Sequence, residues 1–482
     1  MHETGPSLGV PASDDCVVIG SGPGGSLTAA HLAAAGRSVT VLEDGAHLGL
    51  DSARAFSRDE MEQKYRNGGL TVAFGPSRVQ YVEARCAGGG SEINSGLYHR
   101  APPAVLEHWR SEFGVEHLEE SDLLPHYEAN ERRLSVSYLP SEQAAPRSAQ
   151  LMRLGATKMG WESREVPRWF RYDASDDGGR RQSMTETFIP DMLQQGARLV
   201  TETRVTGVTR RGTQWVVCGR RNGRYSEPFE IAARNVFVCA GAVQTPAILR
   251  RSGIDRNVGK TLRLHPTVQL VAEFPEDVTD ENSGVPSEQV KQFAPEISFG
   301  CSISSREYVA LKLYGFREAL RDLPNRWRRM AAYYAMAQGS GTGEVRVLRP
   351  FADPLVTYRL APSDAGHLRR GLRLLCELLL AAGAVALYPV VAGAPILRSA
   401  ADVAGVDEWF EASGANLMTI HLFSSVPMGE ARERCAVDSF GRVYGCDGLY
   451  VADASLLPTS TTVNPQGTIM AIARRNVLEF LR

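Results

Sequence analysis

The sequence predicts an α/β fold built on a parallel sheet, and three observations carry that expectation. Asp15 to Gly20 reads DCVVIG, a short β-branched apolar run of the kind a buried parallel strand needs. It passes through a cluster of glycines into SLTAAHLAAA, Ser26 to Ala35, a small-residue helix that Gly36 stops. SVTVL, Ser38 to Leu42, is a second strand with Glu43 at its carboxyl end. Strand, crossover helix and strand in this order form a βαβ unit, whose connection runs right-handed and whose strands are parallel.

Each part of that unit has a chemical use. In GSGPGG, Gly20, Gly22 and Gly25 fill the pattern GxGxxG. The first glycine allows the tight turn, the second lets backbone approach a pyrophosphate, and the third lets the helix pack on the strand. The helix start then offers N–H groups and a positive dipole end to phosphates. Glu43, 23 residues after Gly20, stands where a carboxylate accepts hydrogen bonds from ribose hydroxyls. The five features in order predict a dinucleotide site, although they do not separate FAD from NAD.

Three later stretches extend the pattern. GGGSEIN, Gly88 to Asn94, offers glycines and small polar residues that let backbone lie against a flat ligand. NVFVCAG, Asn235 to Gly241, is another buried-strand run leading into GAVQTPAILRRSGI, where Thr245 and Pro246 suit an N-cap and a first helical position. GLYVAD, Gly448 to Asp453, is a strand ending in an acid, and a helix is expected from about Gln466 to the carboxyl end.

Length and composition bound the rest. A chain of 482 residues suggests two domains. Its 53 basic and 55 acidic residues leave a net charge of −2, which does not suit a nucleic-acid or anionic-membrane binder. Eight cysteines without a CxxC or a paired Cys/His spacing predict neither zinc nor any other metal site, and fit a reducing compartment. The first 14 residues carry no signal-peptide pattern, so a cytoplasmic location is expected. Leu378 to Leu397 is free of charge, but Gly383, Pro389, Gly393 and Pro395 make it the end of a helix and an extended segment, not a membrane span.

Taken together, these blocks resemble the glucose–methanol–choline (GMC) family of FAD-dependent oxidoreductases over nearly the whole chain. The matching blocks are the fingerprint with Glu43, GGGSEIN, GAVQTPAILRRSGI with the following NVGKTLRLHP, and the stretch from His421 to Asn464. Two departures stand out: Asp255 where the family usually has glycine, and Ser424-Ser425 where it usually has Gly-Thr. The resemblance implies a Rossmann-like FAD-binding domain assembled from residues 1–100, 184–266 and 416–482. It also implies a substrate-binding domain with a mixed or antiparallel sheet from residues 101–183 and 267–415, the former read as irregular.

The resemblance also assigns a site. The implied cofactor contacts are Gly20, Gly22, Gly24, Gly25, Glu43, Gly89, Gly90, Ser91, Asn94, Val205, Asp453, Ala454, Pro465 and Thr468. His421, ahead of LFSSVPMG, matches the family's catalytic histidine, and Asn464 matches its second catalytic position. Imidazole has a pKa of about 6.5, which suits a general base taking an alcohol proton while hydride leaves for flavin N5. Asparagine can hold the substrate oxygen in line. His99 and His265 match no catalytic position and are read as structural. Ile93 occupies the place where some members link FAD to histidine, so non-covalent FAD is expected.

The expected activity is oxidation of a small-molecule alcohol to a carbonyl, with oxygen or another compound as electron acceptor. Alternatives are a non-redox lyase of the hydroxynitrile type, an NAD reductase, a binding protein without catalysis, and an oxidase of other sugars, polyols or steroid alcohols. The block GGGSEINSGLYHR also resembles flavoenzymes that oxidise aminoglycoside precursors such as paromamine in antibiotic biosynthesis. A cationic aminosugar needs acids in its pocket. Glu92 and Glu296 are the acids nearest the family blocks.

Overall fold

The βαβ unit forms as the sequence dictates. In the computed structural model, which describes residues 12–140, 145–173, 179–221, 226–281 and 286–482, Ser13–Ile19 is a strand and Pro23–Ala34 a helix. Val39–Leu42 follows as the second strand, fully buried and parallel to the first. These strands lie inside a seven-stranded sheet. Its order is Thr203–Arg211, Gln214–Arg221, Pro228–Val238, Ser13–Ile19, Val39–Leu42, Arg198–Val200. The long strand Pro228–Val238 pairs with Gln214–Arg221 along its first part and with Leu449–Val451 along its last. The carboxyl ends of the parallel strands thereby carry three chain reversals to one place: Gly20, Cys239-Ala240 and Ala452-Asp453.

The second sheet has nine strands. Thr71–Ala73, Val79–Tyr81, Leu417–Thr419, Thr267–Glu273, Met330–Ala337, Ile297–Cys301, Glu288–Val290 and Ser163–Glu165 lie in that order, and Ala386–Pro389 also pairs with Thr267–Glu273. It is mixed: Leu417–Thr419 runs parallel to Val79–Tyr81, and the other pairs are antiparallel. One face buries Val290, Phe299, Tyr333, Ala335 and Leu270 in a core shared with helices Arg147–Lys158 and Pro362–Ala381. Those helices cross closely, since a Cβ on Gly155 would meet the backbone oxygen and side chain of Leu378. The charge-free stretch divides as expected between the end of Pro362–Ala381 and the strand Ala386–Pro389. Among the described residues no helix is long and apolar enough to cross a membrane.

The structure departs from the expected partition in three places. Thr71–Ala73, Val79–Tyr81 and Leu417–Thr419 belong to the nine-stranded sheet, although they lie in stretches read as the dinucleotide domain. The segment read as irregular contains helices Pro103–Phe113, Glu120–Arg133 and Arg147–Lys158. The first two pack on the dinucleotide side, with Leu106, Trp109, Leu123 and Tyr127 in its core. Finally, the helix after NVFVCAG starts at Gly241 and not at Pro246. A proline inside a helix leaves the carbonyl four residues earlier without its donor. Here that carbonyl, of Ala242, accepts the Ser425 hydroxyl at 2.7 Å.

Candidate active site

A cavity of about 280 Å³ opens where the three reversals meet. Of the expected cofactor contacts, Gly20, Gly22, Gly24, Glu43, Gly89, Gly90, Asn94, Val205, Asp453, Ala454 and Pro465 line it, together with His421 and Asn464. Gly25, Ser91 and Thr468 do not. Gly25 lies where a Cβ would strike the Gly20 carbonyl, so it serves helix packing. The Ser91 hydroxyl donates to Gly88 O at 2.8 Å and accepts from the Met184 N–H at 3.0 Å. The Thr468 hydroxyl accepts from Tyr127 at 3.0 Å.

The glycines fit a dinucleotide. A Cβ on Gly24 would run into the carbonyl of Ala452, whereas one on Gly22 would meet only the Gly89 Cα, at 3.9 Å. Gly22 is also the N-cap of Pro23–Ala34, whose first turn carries no acid and no side-chain cap. The open side of that turn therefore presents backbone and the positive helix end to the cavity.

The two predicted acids are braced by the protein. Glu43 accepts from the Ser21 N–H at 3.1 Å, the Ser21 hydroxyl at 2.7 Å and the Gly45 N–H at 2.8 Å. Burial raises its pKa, and those three bonds oppose the rise. Asp453 accepts from the N–H groups of Gly241 and Ser455, both at 2.8 Å, and from the hydroxyls of Thr245 and Ser455. It thus ties the start of Gly241–Arg251 to the turn after Leu449–Val451. The carboxamide of Asn94 reaches Gln466 at 2.8 Å, which joins the glycine block to the carboxyl-terminal helix Gln466–Phe480.

Sequence reasoning missed one cluster at this end. Arg66, 6 % exposed, pairs with Glu83 and, at 3.0 Å, with Asp44, and Gln244 donates to Glu83 at 3.0 Å; all four line the cavity. Arg66 belongs to no local pattern, and the strand pairing that carries Glu83 to it is long-range.

The catalytic end is assembled by register. Arg263 pairs with Phe423 and Leu264 with Leu422, so the next pair on this short antiparallel ladder is His265 with His421. Their Nδ1 atoms are 3.0 Å apart. The Nε2 of His265 lies 2.6 Å from the Ser460 hydroxyl, which donates to Gln338 O at 2.6 Å and accepts from the Thr462 N–H at 3.1 Å. Ser460 has one proton, and the Gln338 carbonyl can only accept. Ser460 therefore accepts from His265 Nε2–H. A neutral His265 then has its lone pair on Nδ1 and accepts from His421 Nδ1–H. The lone pair of His421 is left on Nε2, where the Asn464 amide sits at 3.2 Å.

Both rings are held neutral. Burial pushes the His421 pKa down to about 3, helped by the nearby charge of Lys291. Burial, His421 and Lys291 together hold His265 far below the usual histidine range. The reading of His265 as structural is thus incomplete, because it touches His421 and dictates its tautomer. The signal was the register, which two-residue strands do not display in sequence.

Glu92 and Glu296 lie away from the cavity. Glu92 is fully buried and accepts from the Thr185 N–H at 3.2 Å and hydroxyl at 3.0 Å, while Glu296 is exposed. Ile93 lines the cavity with a side chain that has no nucleophile.

Known proteins resemble this chain over nearly its whole length. The family model described as GMC oxidoreductase matches residues 61–267 in its amino-terminal part and 340–473 in its carboxyl-terminal part. A model described as NAD(P)-binding Rossmann-like domain matches residues 18–80. An uncharacterized GMC-type oxidoreductase of Sinorhizobium fredii is 38 % identical over 475 residues, 96 % of this chain and 93 % of that one. A long-chain-alcohol oxidase of Arabidopsis thaliana is 25 % identical over 508 residues, 95 % of this chain and 66 % of that one. The crystal structure of pyridoxine 4-oxidase from Mesorbium loti superposes with a TM-score of 0.73 at 20 % identity, covering 97 % of this chain and 99 % of that one.

Proposed function

The chain belongs to the GMC oxidoreductase family and is an FAD-dependent alcohol oxidoreductase; within that activity, we propose that His421 is the general base and Asn464 the group that orients the substrate oxygen. The observation that carries this reading is the Nε2 lone pair of His421, fixed by the chain through His265, Ser460 and Gln338 and turned to Asn464. A free imidazole would divide between two tautomers and would protonate near pH 6.5. This one is held in the single form that can accept a proton beside Asn464.

Bound FAD, held without a covalent link by the residues around Gly22, Glu43 and Gly89, supplies the hydride acceptor. His421 Nε2 takes the hydroxyl proton of the alcohol and becomes imidazolium, its Nδ1–H still bound to His265. Asn464 donates an amide hydrogen to the same oxygen and so fixes which C–H is presented. The product is the carbonyl compound.

We do not extend the proposal to an aminoglycoside precursor. The acids that line the cavity are Glu43, Asp44, Glu83 and Asp453, all at the dinucleotide end, and the charge felt at His421 is the cation of Lys291. Anaerobic mixing with a panel of alcohols, aminoglycosides included, followed by admission of oxygen, tests the reading. Bleaching of the flavin by an alcohol supports it, and recovery in oxygen identifies an oxidase. A flavin that no alcohol bleaches overturns it.

A further inference from the structure

The nine-stranded sheet has a second face, and it is not apolar. Directly opposed residues share a face. Gln289 opposes Gly300, Gly300 opposes Tyr334, and Tyr334 opposes Gln269. Lys291 follows the strand Glu288–Val290 and continues the alternation of Gln289. This row lies opposite the Phe299, Tyr333 and Leu270 face that packs on the two helices, and it comes within reach of His99, His265 and His421.

One buried cation there has no partner among the described residues. Lys291 is 8 % exposed and, among the described residues, its ammonium makes neither a hydrogen bond nor an ion pair. Among the described residues the charge that bears on it is that of Arg164, which is also positive. His99 and Gln289 lie buried against each other beside Lys291, and the Gln289 amide nitrogen donates to Tyr334 at 3.1 Å. A buried cation without a counter-charge is costly, and such groups persist where a ligand supplies the missing charge. Other buried cations have an acceptor, a carboxylate pair for Arg66 and a backbone carbonyl for Lys64 and Lys312.

We propose that Lys291, with Gln289 and His99 beside it, forms an anion subsite, and that the alcohol oxidised here carries a carboxylate that docks on Lys291. A single ammonium balances one negative charge, which suits a carboxylate better than a doubly charged phosphate ester. The subsite belongs to the nine-stranded sheet, so the anionic end of the substrate would rest on that sheet while its carbinol carbon faces His421 and Asn464. Burial lowers the Lys291 pKa to about 7, and a bound carboxylate restores its positive charge.

The proposal rests on His421 marking the reacting end, and its test has two arms. The first needs no turnover: benzoate and benzamide, alike except for the charge, are titrated into the holoenzyme by calorimetry. Benzoate should bind at least tenfold more tightly. Lys291→Met should abolish the difference and Lys291→Arg keep it; if the Met variant fails to load FAD, Lys291→Gln takes its place. Equal affinity for the two probes, no binding of either, or a preference that survives Lys291→Met overturns the subsite. The second arm compares 4-(hydroxymethyl)benzoate with benzyl alcohol in anaerobic flavin bleaching. A carboxylate preference lost in Lys291→Met supports the proposal. Equal use of both alcohols overturns the subsite and leaves the base assignment standing. Benzoate binding without bleaching by any alcohol overturns the base assignment and leaves the subsite standing.

Discussion

The dinucleotide end of this site and the end that faces the nine-stranded sheet treat buried charge differently. At the dinucleotide end the charges are paired: Glu43 with Ser21 and Gly45, Asp453 with Gly241, Thr245 and Ser455, and Arg66 with Asp44 and one oxygen of Glu83. On the nine-stranded sheet Lys291 holds a charge that no described residue pairs. The difference teaches which part of the site is scaffold and which is receptor. Paired groups hold the backbone that receives the cofactor, and the unpaired one awaits a substrate. Between them the hydrogen-bond chain from Gln338 runs to His421 Nε2, whose partner among the described residues is the exchangeable amide of Asn464.

The largest effect should come from breaking the scaffold. Asp453→Ala removes the acceptor of two backbone N–H groups and two hydroxyls, and each buried group left unpaired costs about 1 to 3 kcal/mol. The variant should lose several kcal/mol in thermal unfolding and purify largely without flavin. A yellow protein of ordinary stability would show that the brace is dispensable. Glu43→Ala should be milder: weaker FAD binding by about 1.5 to 3 kcal/mol, the worth of charge-assisted bonds, with nearly unchanged bleaching in the loaded fraction. Fluorescence titration of apoprotein with FAD measures it.

His265→Phe tests the link between the two ends. The ring volume stays, but His421 Nδ1–H loses its acceptor. FAD content should hold, and bleaching should slow by about tenfold, a part of the 10²- to 10⁴-fold that a general base contributes. An unchanged rate would mean that the tautomer of His421 is set elsewhere. The smallest effect is a gain. Ser424 has φ +67°, in the left-handed region, and its hydroxyl is buried without a partner. Ser424→Gly should raise stability by about 1 kcal/mol, since an L-residue is disfavoured there by about 1 to 2. A drop in melting temperature would contradict the strain.

The same division explains what the sequence could and could not reveal. The fingerprint is legible because its glycines record approaches within a few residues, or approaches of strands that a βαβ unit brings together in a fixed way. Asp453 and His421 are legible because each lies in a contiguous block. The start of Gly241–Arg251 is misjudged because Pro246 normally marks a first turn, and only the distant Ser425 hydroxyl lets it sit further in. Residues 101–183 read as irregular for their prolines and charge, yet Pro103 opens one helix and Pro146 caps another. His265, Arg66 and Lys291 escape because their contacts are not local. His265 and Lys291 act on residues far along the chain, through ladders of two to seven residues, while Arg66 meets Glu83 and Asp44, 17 and 22 residues away, from outside any strand.

The central claim is that His421 reacts as a neutral imidazole with its lone pair on Nε2. Rapid-mixing measurement of flavin bleaching between pH 5 and pH 9, using the fastest alcohol of the panel, tests it most directly. Burial and the charge of Lys291 lower the His421 pKa to about 3, so the base stays unprotonated across this range. The wild-type rate should therefore show no acid limb near pH 6.5. His421→Ala should be slower by about 10² to 10⁴ at every pH while keeping its FAD. A wild-type rate that falls through a pKa near 6.5 would contradict the buried neutral base, and His421→Ala bleaching at the wild-type rate would remove His421 from the chemistry.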